Sequence, residues 1–439
     1  MNVAAAGPVR YAQALRSRSF ALLWAGQAIS ALGDGTFYIA LTWQVLLLTN
    51  SGTAMAGVIL AGAIPRLLFF LIGGVTADRF PRRLVLLWSD TTRAVIVLLI
   101  ASLGWVHLLQ MWHLFTLALL FGIVDGFFGP AYQAIIPQLV EKEVLPSANA
   151  LTGISQKAGF IFGSVIAAGS ITLLATPASA FAFNGLTFVV SALCILALRI
   201  PAQAKTDTPP SEPQQNSTHA AQEGKGIRGG IYASIHSVFS DAREGFRYVL
   251  QSSWLRVTIP ISALGNIAIS APSQVASPKL VHDVYGAGAW LLGLLIVANS
   301  TGSVVAMFLV GQLHLRRRGL LAFLALVVLS FVMVVFGLPL PHSWEPVVAT
   351  VAAFIGGACL GFFSIIWVTV LQEMVPGDKL GRVSSIDMLG SYALLPLGYA
   401  LVGVLTDWKG ASLVFIAGGL LNLVLCLVAL SRREVRNLQ

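Results

Sequence analysis

The sequence predicts an all-α integral membrane protein whose twelve transmembrane helices form two six-helix bundles. Three observations carry that prediction. Of 439 residues 56% are hydrophobic and only 10% are charged, against roughly 25% charged in a soluble domain, and the mean hydropathy is +0.82. The apolar residues gather into twelve runs, each near the roughly 20 residues that cross a hydrocarbon core. A polar stretch then divides these runs six and six.

The first six runs cover about 20 to 44, 53 to 77, 84 to 106, 112 to 136, 150 to 174 and 178 to 199. The stretch from Met1 to Arg18 is polar and basic, and the run after it is too long for a signal peptide and lacks a small-residue cleavage site, so it reads as a first span. Only Ala175, Thr176 and Pro177 separate the fifth run from the sixth. The second six cover about 254 to 276, 288 to 311, 320 to 339, 347 to 371, 384 to 406 and 411 to 430. Between the sets, Thr206 to Thr218 is too polar to bury a core and reads as a tether. Ile231 to Leu250 then mixes apolar residues with Arg243, Glu244 and Arg247 as an interfacial amphipathic helix does. The expected division is an N-terminal bundle over 1–200, a cytoplasmic linker over 201–252 and a C-terminal bundle over 253–439.

Lysine and arginine predict orientation. Of the 27, only Lys279 and Lys409 fall in loops on one side, while Arg66, Arg93 and Lys157 lie inside spans. By the positive-inside rule the side holding the rest is cytoplasmic, so both termini are expected there, in a multi-pass protein of the cell membrane. The ten tryptophans fall near span ends, as an interfacial belt does. Cys194, Cys359 and Cys426 each stand alone in an apolar run, which argues for packing roles and against a disulfide framework or metal site. The basic residues form no continuous stripe, so nucleic acid is not an expected partner.

Intramembrane charge supplies the candidate site. At 1.5 Å per residue, Arg66 and Asp125 lie roughly 16 Å and Asp34 roughly 21 Å from the cytoplasmic span ends, and charges at such depth mark ion pathways. Two readings stand: a partly paired aspartate that alternately binds and releases a proton, with Asp34 first and Asp125 second, or an Arg66 pair that ties helices together. Arg93 has Asp90 one turn earlier and reads as a local pair, and Lys157 is within snorkelling reach of the surface. Candidate cavity residues are Phe37, Tyr38, Phe127, Tyr132, Asn266, Asn299 and Tyr392, with Gln27, Phe128 and Tyr399 beside them. The aromatics among them serve equally well as interhelical packing.

Weak internal similarity relates the halves. Gly74, followed by Asp78, Arg79, Arg82 and Arg83, aligns with Gly311 followed by Arg316, Arg317 and Arg318, and Leu139, Val140, Glu143 and Leu145 align with Met374, Val375, Asp378 and Leu380. The first of these loops resembles the signature loop of the major facilitator superfamily, and with twelve spans and a central linker the resemblance covers the chain. It implies transport by alternating access, with Asp78 meeting the start of the eleventh span near Ser384 as a latch, and Arg79, Arg82 and Arg83 holding acids and lipid. Gly33, Asp34 and Gly35, where the helix can loosen, Gly129, Pro130 and Ala131 with Pro137, and Gly381, Arg382 and Val383 with Pro396 and Gly398 resemble the bacterial enterobactin exporter and macrolide efflux group. In the fifth span Gly159, Gly163 and Ser164 stand without the proline of many proton-coupled drug antiporters.

The expected function is secondary active transport, as proton-coupled export of small lipophilic or amphipathic compounds. Its expected partners are that substrate, protons and membrane lipids, with no cofactor or metal and with a monomer as the working unit. The alternatives are export of a defined metabolite such as a siderophore, transport of a lysolipid, or a membrane sensor. The sequence contains no HExxH pair, GxSxG elbow or GxxxxGK loop to support an enzyme or a primary pump.

Overall fold

A computed structural model describes residues 13–141, 143–198, 246–310, 317–339, 341, 343–436 and 438. Twelve membrane-length apolar helical segments appear, in the order the sequence predicts. The N-terminal half comprises α1 (Arg18–Thr49), α2 (Gly52–Arg79), α3 (Arg82–Trp105), α4 (Met111–Leu139), α5 (Leu145–Leu174) and α6 (Ala178–Ala197). The seventh span is α7 (Ser253–Ala271) extended through two π-helical turns, Pro272–Ala276 and Leu280–Val284. After it come α8 (Ala289–Val310), α9 (Arg318–Gly337) and α10 (Glu345–Met374). The eleventh span is two helices, α11 (Gly377–Tyr392) and α12 (Leu395–Lys409), and the chain closes with α13 (Ala411–Ser431) and the short α14 (Arg433–Arg436). The expected tether, and the amphipathic helix up to residue 245, lie outside the described residues; 246–250 are helical.

Local chemistry sets the ends. The Ser17 hydroxyl accepts from the Phe20 amide at the start of α1 and donates to the Leu139 carbonyl at the end of α4, at 2.7 Å. Asn50 takes the left-handed conformation that ends α1, with φ of 46°, and Ser51 caps α2 two residues later. Two corrections to the predicted spans follow from proline. Pro272 and Pro278 lack amide donors, and π-helical turns carry the seventh span past its predicted end, so Lys279 lies within that span and not in a loop. Pro396 stands at the second position of α12, where the eleventh span breaks.

The halves pack alike. The second span runs against the fourth in one half and the eighth against the tenth in the other, with the third on the sixth and the ninth on the twelfth. Phe181, Phe188 and Phe323 fill the interior, while Leu67, Phe308 and Leu397 are among the apolar side chains left outside, as a lipid-facing surface requires.

The halves meet chiefly where α2 lies on α12 and α5 on α8. These contacts include the end of the bundle where α1 finishes, hereafter the far end. Asp407, near the end of α12, accepts from the Ser51 hydroxyl at 2.7 Å and from the amides of Gly52 at 2.6 Å and Thr53 at 2.9 Å, so a carboxylate of one half sits on the first turn of a helix of the other. Lys279 holds the same carboxylate at 3.1 Å. Gly52 and Gly403 face each other so closely that a Cβ on Gly403 would meet the Gly52 carbonyl oxygen at 2.8 Å. The Asn50 amide donates to Asp283 at 3.4 Å, and deeper in the bundle the Tyr38 hydroxyl donates to Gln274 at 2.8 Å.

Candidate functional site

In the N-terminal half, α3 places Asp90 and Arg93 one turn apart, both buried. Arg93 Nη2 reaches Asp90 Oδ1 at 2.9 Å, and the other Asp90 oxygen accepts from the Ser191 hydroxyl at 2.6 Å and the Gln27 amide at 3.2 Å. This carboxylate is fully satisfied. Arg93 also faces Asp125 of α4 at 3.7 Å, while Arg66 of α2, 61% exposed, approaches the second Asp125 oxygen at 3.8 Å. The buried guanidinium lies 4.1 Å from the Phe128 ring centre and 4.9 Å from that of Phe188, contacts that favour a cation kept from water.

Asp34 projects from α1 into the same cavity, of about 630 Å³, beside Gln27, Arg93, Asp125 and Tyr132. Among the described residues its carboxylate has no hydrogen-bond or ion-pair partner. The cluster therefore holds three carboxylates against two guanidiniums. Contrary to the expectation from sequence, the neighbouring glycines do not loosen the helix: α1 is continuous through them. They admit neighbours instead: a Cβ on Gly33 would lie 2.0 Å from the Thr187 hydroxyl, and one on Gly35 2.4 Å from the Phe160 carbonyl oxygen.

Two further cavities lie in and beside the C-terminal half. One, of about 440 Å³, is lined by Tyr38 and Phe160 from the first half and by Gln274, Asn299, Phe336 and Phe415 from the second. Another, of about 410 Å³, is lined by Asn266, Trp367, Asp387 and Tyr392. They share Ile269 and Leu360, and a further cavity of about 350 Å³ shares Asn299 with the first, Ser303 with the second and Gln156 with the space around Asp34. The acids of the two halves thus border neighbouring cavities.

Of the residues singled out in the sequence, Tyr38, Tyr132, Asn266, Asn299 and Tyr392 line these spaces. Phe37 is instead stacked on Phe121 at 4.8 Å in the first half's core, and Phe127 borders an outer groove with Trp88 and Phe80. Arg93 takes the central position the sequence gave to Arg66, because a residue one turn from Asp90 also reaches α4. The side chains of Gly74, Asp78 and Arg79 lie outside those described. Arg82 donates to the Ala134 carbonyl at 2.6 Å and Arg83 to those of Ile195 and Leu196 at 3.0 and 2.6 Å, so these bonds go to α4 and to the open C-terminal carbonyls of α6. Asp387 escaped the sequence reading: with the span predicted to begin at 384 it looked terminal, but α11 begins at Gly377 and carries it roughly 15 Å inward.

Twelve spans in two matching halves fit the family model that the chain matches, Major Facilitator Superfamily, over residues 23–394. The chain belongs to this superfamily. Superfamily members similar to it include macrolide efflux protein A of Streptococcus pyogenes, 22% identical over 95% of this chain and 97% of that one. The enterobactin exporter EntS of Escherichia coli O1:K1 / APEC is 27% identical, over 93% and 92%. Among solved structures, the nucleoside transporter NupG matches with a TM-score of 0.66 at 13% identity over 94% of this chain and 98% of that one. A bacterial homologue of the iron transporter ferroportin matches with 0.66 at 15% over 94% and 99%. These structures share the fold; the protein is accordingly a multi-pass membrane transporter and not an enzyme.

Proposed function

We propose that the protein exports small lipophilic or amphipathic compounds across the cell membrane, driven by protons moving inward, with both termini in the cytoplasm. The observation that carries this reading is the charge count around Asp34. Arg93 and Arg66 serve Asp90 and Asp125 and leave Asp34 in excess, and an unpaired carboxylate away from water is costly. A proton on Asp34 balances the cluster, and its release to the other side as the cavity alternates couples transport to the gradient. The neighbouring cavities, lined mostly by apolar side chains with scattered amides and hydroxyls, suit molecules oriented by a few polar contacts. Efflux and export in the names of two relatives support the direction. A siderophore-like metabolite is the second reading, favoured by the enterobactin exporter alone.

The test is accumulation of a fluorescent lipophilic compound in inverted vesicles with and without an imposed pH gradient. The parent should accumulate it only with the gradient, and Asp34→Asn, folded and inserted, should lose that dependence. Accumulation that ignores the gradient, or an Asp34→Asn variant that behaves as the parent, rejects the proton assignment.

A further inference from the structure

We propose that the cavity beside the break in the eleventh span binds the positively charged head of an organic cation, a tertiary or quaternary ammonium, with Asp387 as its counter-ion and Trp367, Phe363 and Tyr392 as its aromatic wall. The proposal rests on the transport reading above and names the substrate class taken at one place in the interior.

Asp387 differs from Asp90 and Asp125 in its surroundings. In the first half, arginines from α2 and α3 stand beside Asp125 and Asp90. In the second, among the described residues, no lysine or arginine lines the 410 Å³ cavity and Asp387 has no ion pair. One oxygen of Asp387 accepts from the Trp367 indole at 3.1 Å, which fixes the carboxylate. The other is buried without any partner, and so is the Ser262 hydroxyl oxygen; both residues line this cavity. Buried polar atoms normally find partners, and here two residues bordering one cavity carry polar atoms that no protein group uses. The carboxylate among them lacks a positive partner among the described residues.

The wall narrows the chemistry. Trp367 stacks on Phe363 with ring centres 5.9 Å apart and planes 10° from parallel, while Trp254 meets Trp367 edge-on at 6.0 Å. Rings held in place beside a carboxylate attract a cation through their faces, and a bulky alkylated ammonium loses little hydration on entering. A bare metal ion fits poorly, since it needs several hard oxygen or nitrogen ligands and no group of three or more His, Cys, Asp or Glu placed to hold a metal ion occurs among the described residues. The volume admits a head of that size, and Ile269 and Leu360, shared with the 440 Å³ cavity, put the rest of the molecule between the halves.

The experiment is equilibrium binding of radiolabelled benzyltriethylammonium to the purified full-length protein in detergent, with its uncharged carbon isostere as competitor. The parent should bind the cation, and the isostere should compete at least tenfold more weakly than the unlabelled cation. Asp387→Asn, which keeps an acceptor for Trp367, should weaken binding at least tenfold; Asp387→Glu should recover part of the loss and Trp367→Phe should weaken it severalfold. Equal competition by the isostere, or parent-like affinity in Asp387→Asn, overturns the proposal; if that variant does not fold, unchanged affinity in Trp367→Phe does the same. Failure of gradient-driven transport with this binding intact rejects the proton reading alone, and cation binding indifferent to Asp387 rejects the present one alone.

Discussion

Removing the Asp407 carboxylate is expected to release the far end of the bundle. In Asp407→Ala three hydrogen bonds between the halves disappear, from the Ser51 hydroxyl and the amides of Gly52 and Thr53, and Lys279 loses its partner. Bonds to a charged acceptor contribute about 1.5–3 kcal/mol each when dry, but the Asp407 side chain is 30% exposed and solvent screening brings each nearer 1 kcal/mol. The sum is about 3 kcal/mol, or roughly a hundredfold rise in the open-to-closed ratio at that end. The helix itself should survive, because Ser51 still caps α2 by accepting from the Ala54 amide at 3.2 Å. Spin labels on cysteines at His107, after α3, and Ser343, before α10, in a background without the three native cysteines, report the separation by pulsed electron resonance. A longer or broader distance distribution in Asp407→Ala is expected. A distribution matching the parent's would refute the argument, and a lower melting temperature with unchanged distances would make Asp407 a support of the fold alone.

Tyr38→Phe removes one neutral bond between the halves, at 2.8 Å, and should move the same distances in the same direction by only about 1 kcal/mol. Arg93→Met leaves buried Asp90 without its cation and should cost about 3–5 kcal/mol in a denaturation series; adding Asp90→Asn should restore much of that, and no recovery would deny the pairing. Gly33→Ala forces a methyl into Thr187 and Asn184 and should destabilise by about 1–3 kcal/mol, whereas a glycine needed for helix loosening would instead give normal stability with altered transport.

The sequence carried the architecture because lipid imposes one dominant rule, that each span be apolar for about 20 residues, and charge outside the spans then predicts orientation. It located depth along a helix but not rotation about it. Asp34 and Asp125 were found by their depth, yet Phe37 and Phe127, at similar depth, turn into the core and toward an outer groove. Arg66 and Arg93 exchanged importance for the same reason. Asp387 was obscured by a boundary error of seven residues at the start of its span, and Asp407 because its partners, Ser51 to Thr53, lie at the other end of the chain in another half. No local pattern announces a cap supplied from such a distance.

The small residues at the far end set how that end parts. Where Gly52 meets Gly403 the two backbones come together with no side chain of either glycine between them, so this contact parts without drawing a side chain from a pocket. Beside it the seam is held by discrete polar fasteners around Asp407 that water replaces as they part. Its strength can therefore be tuned one fastener at a time, without repacking the bundles it joins.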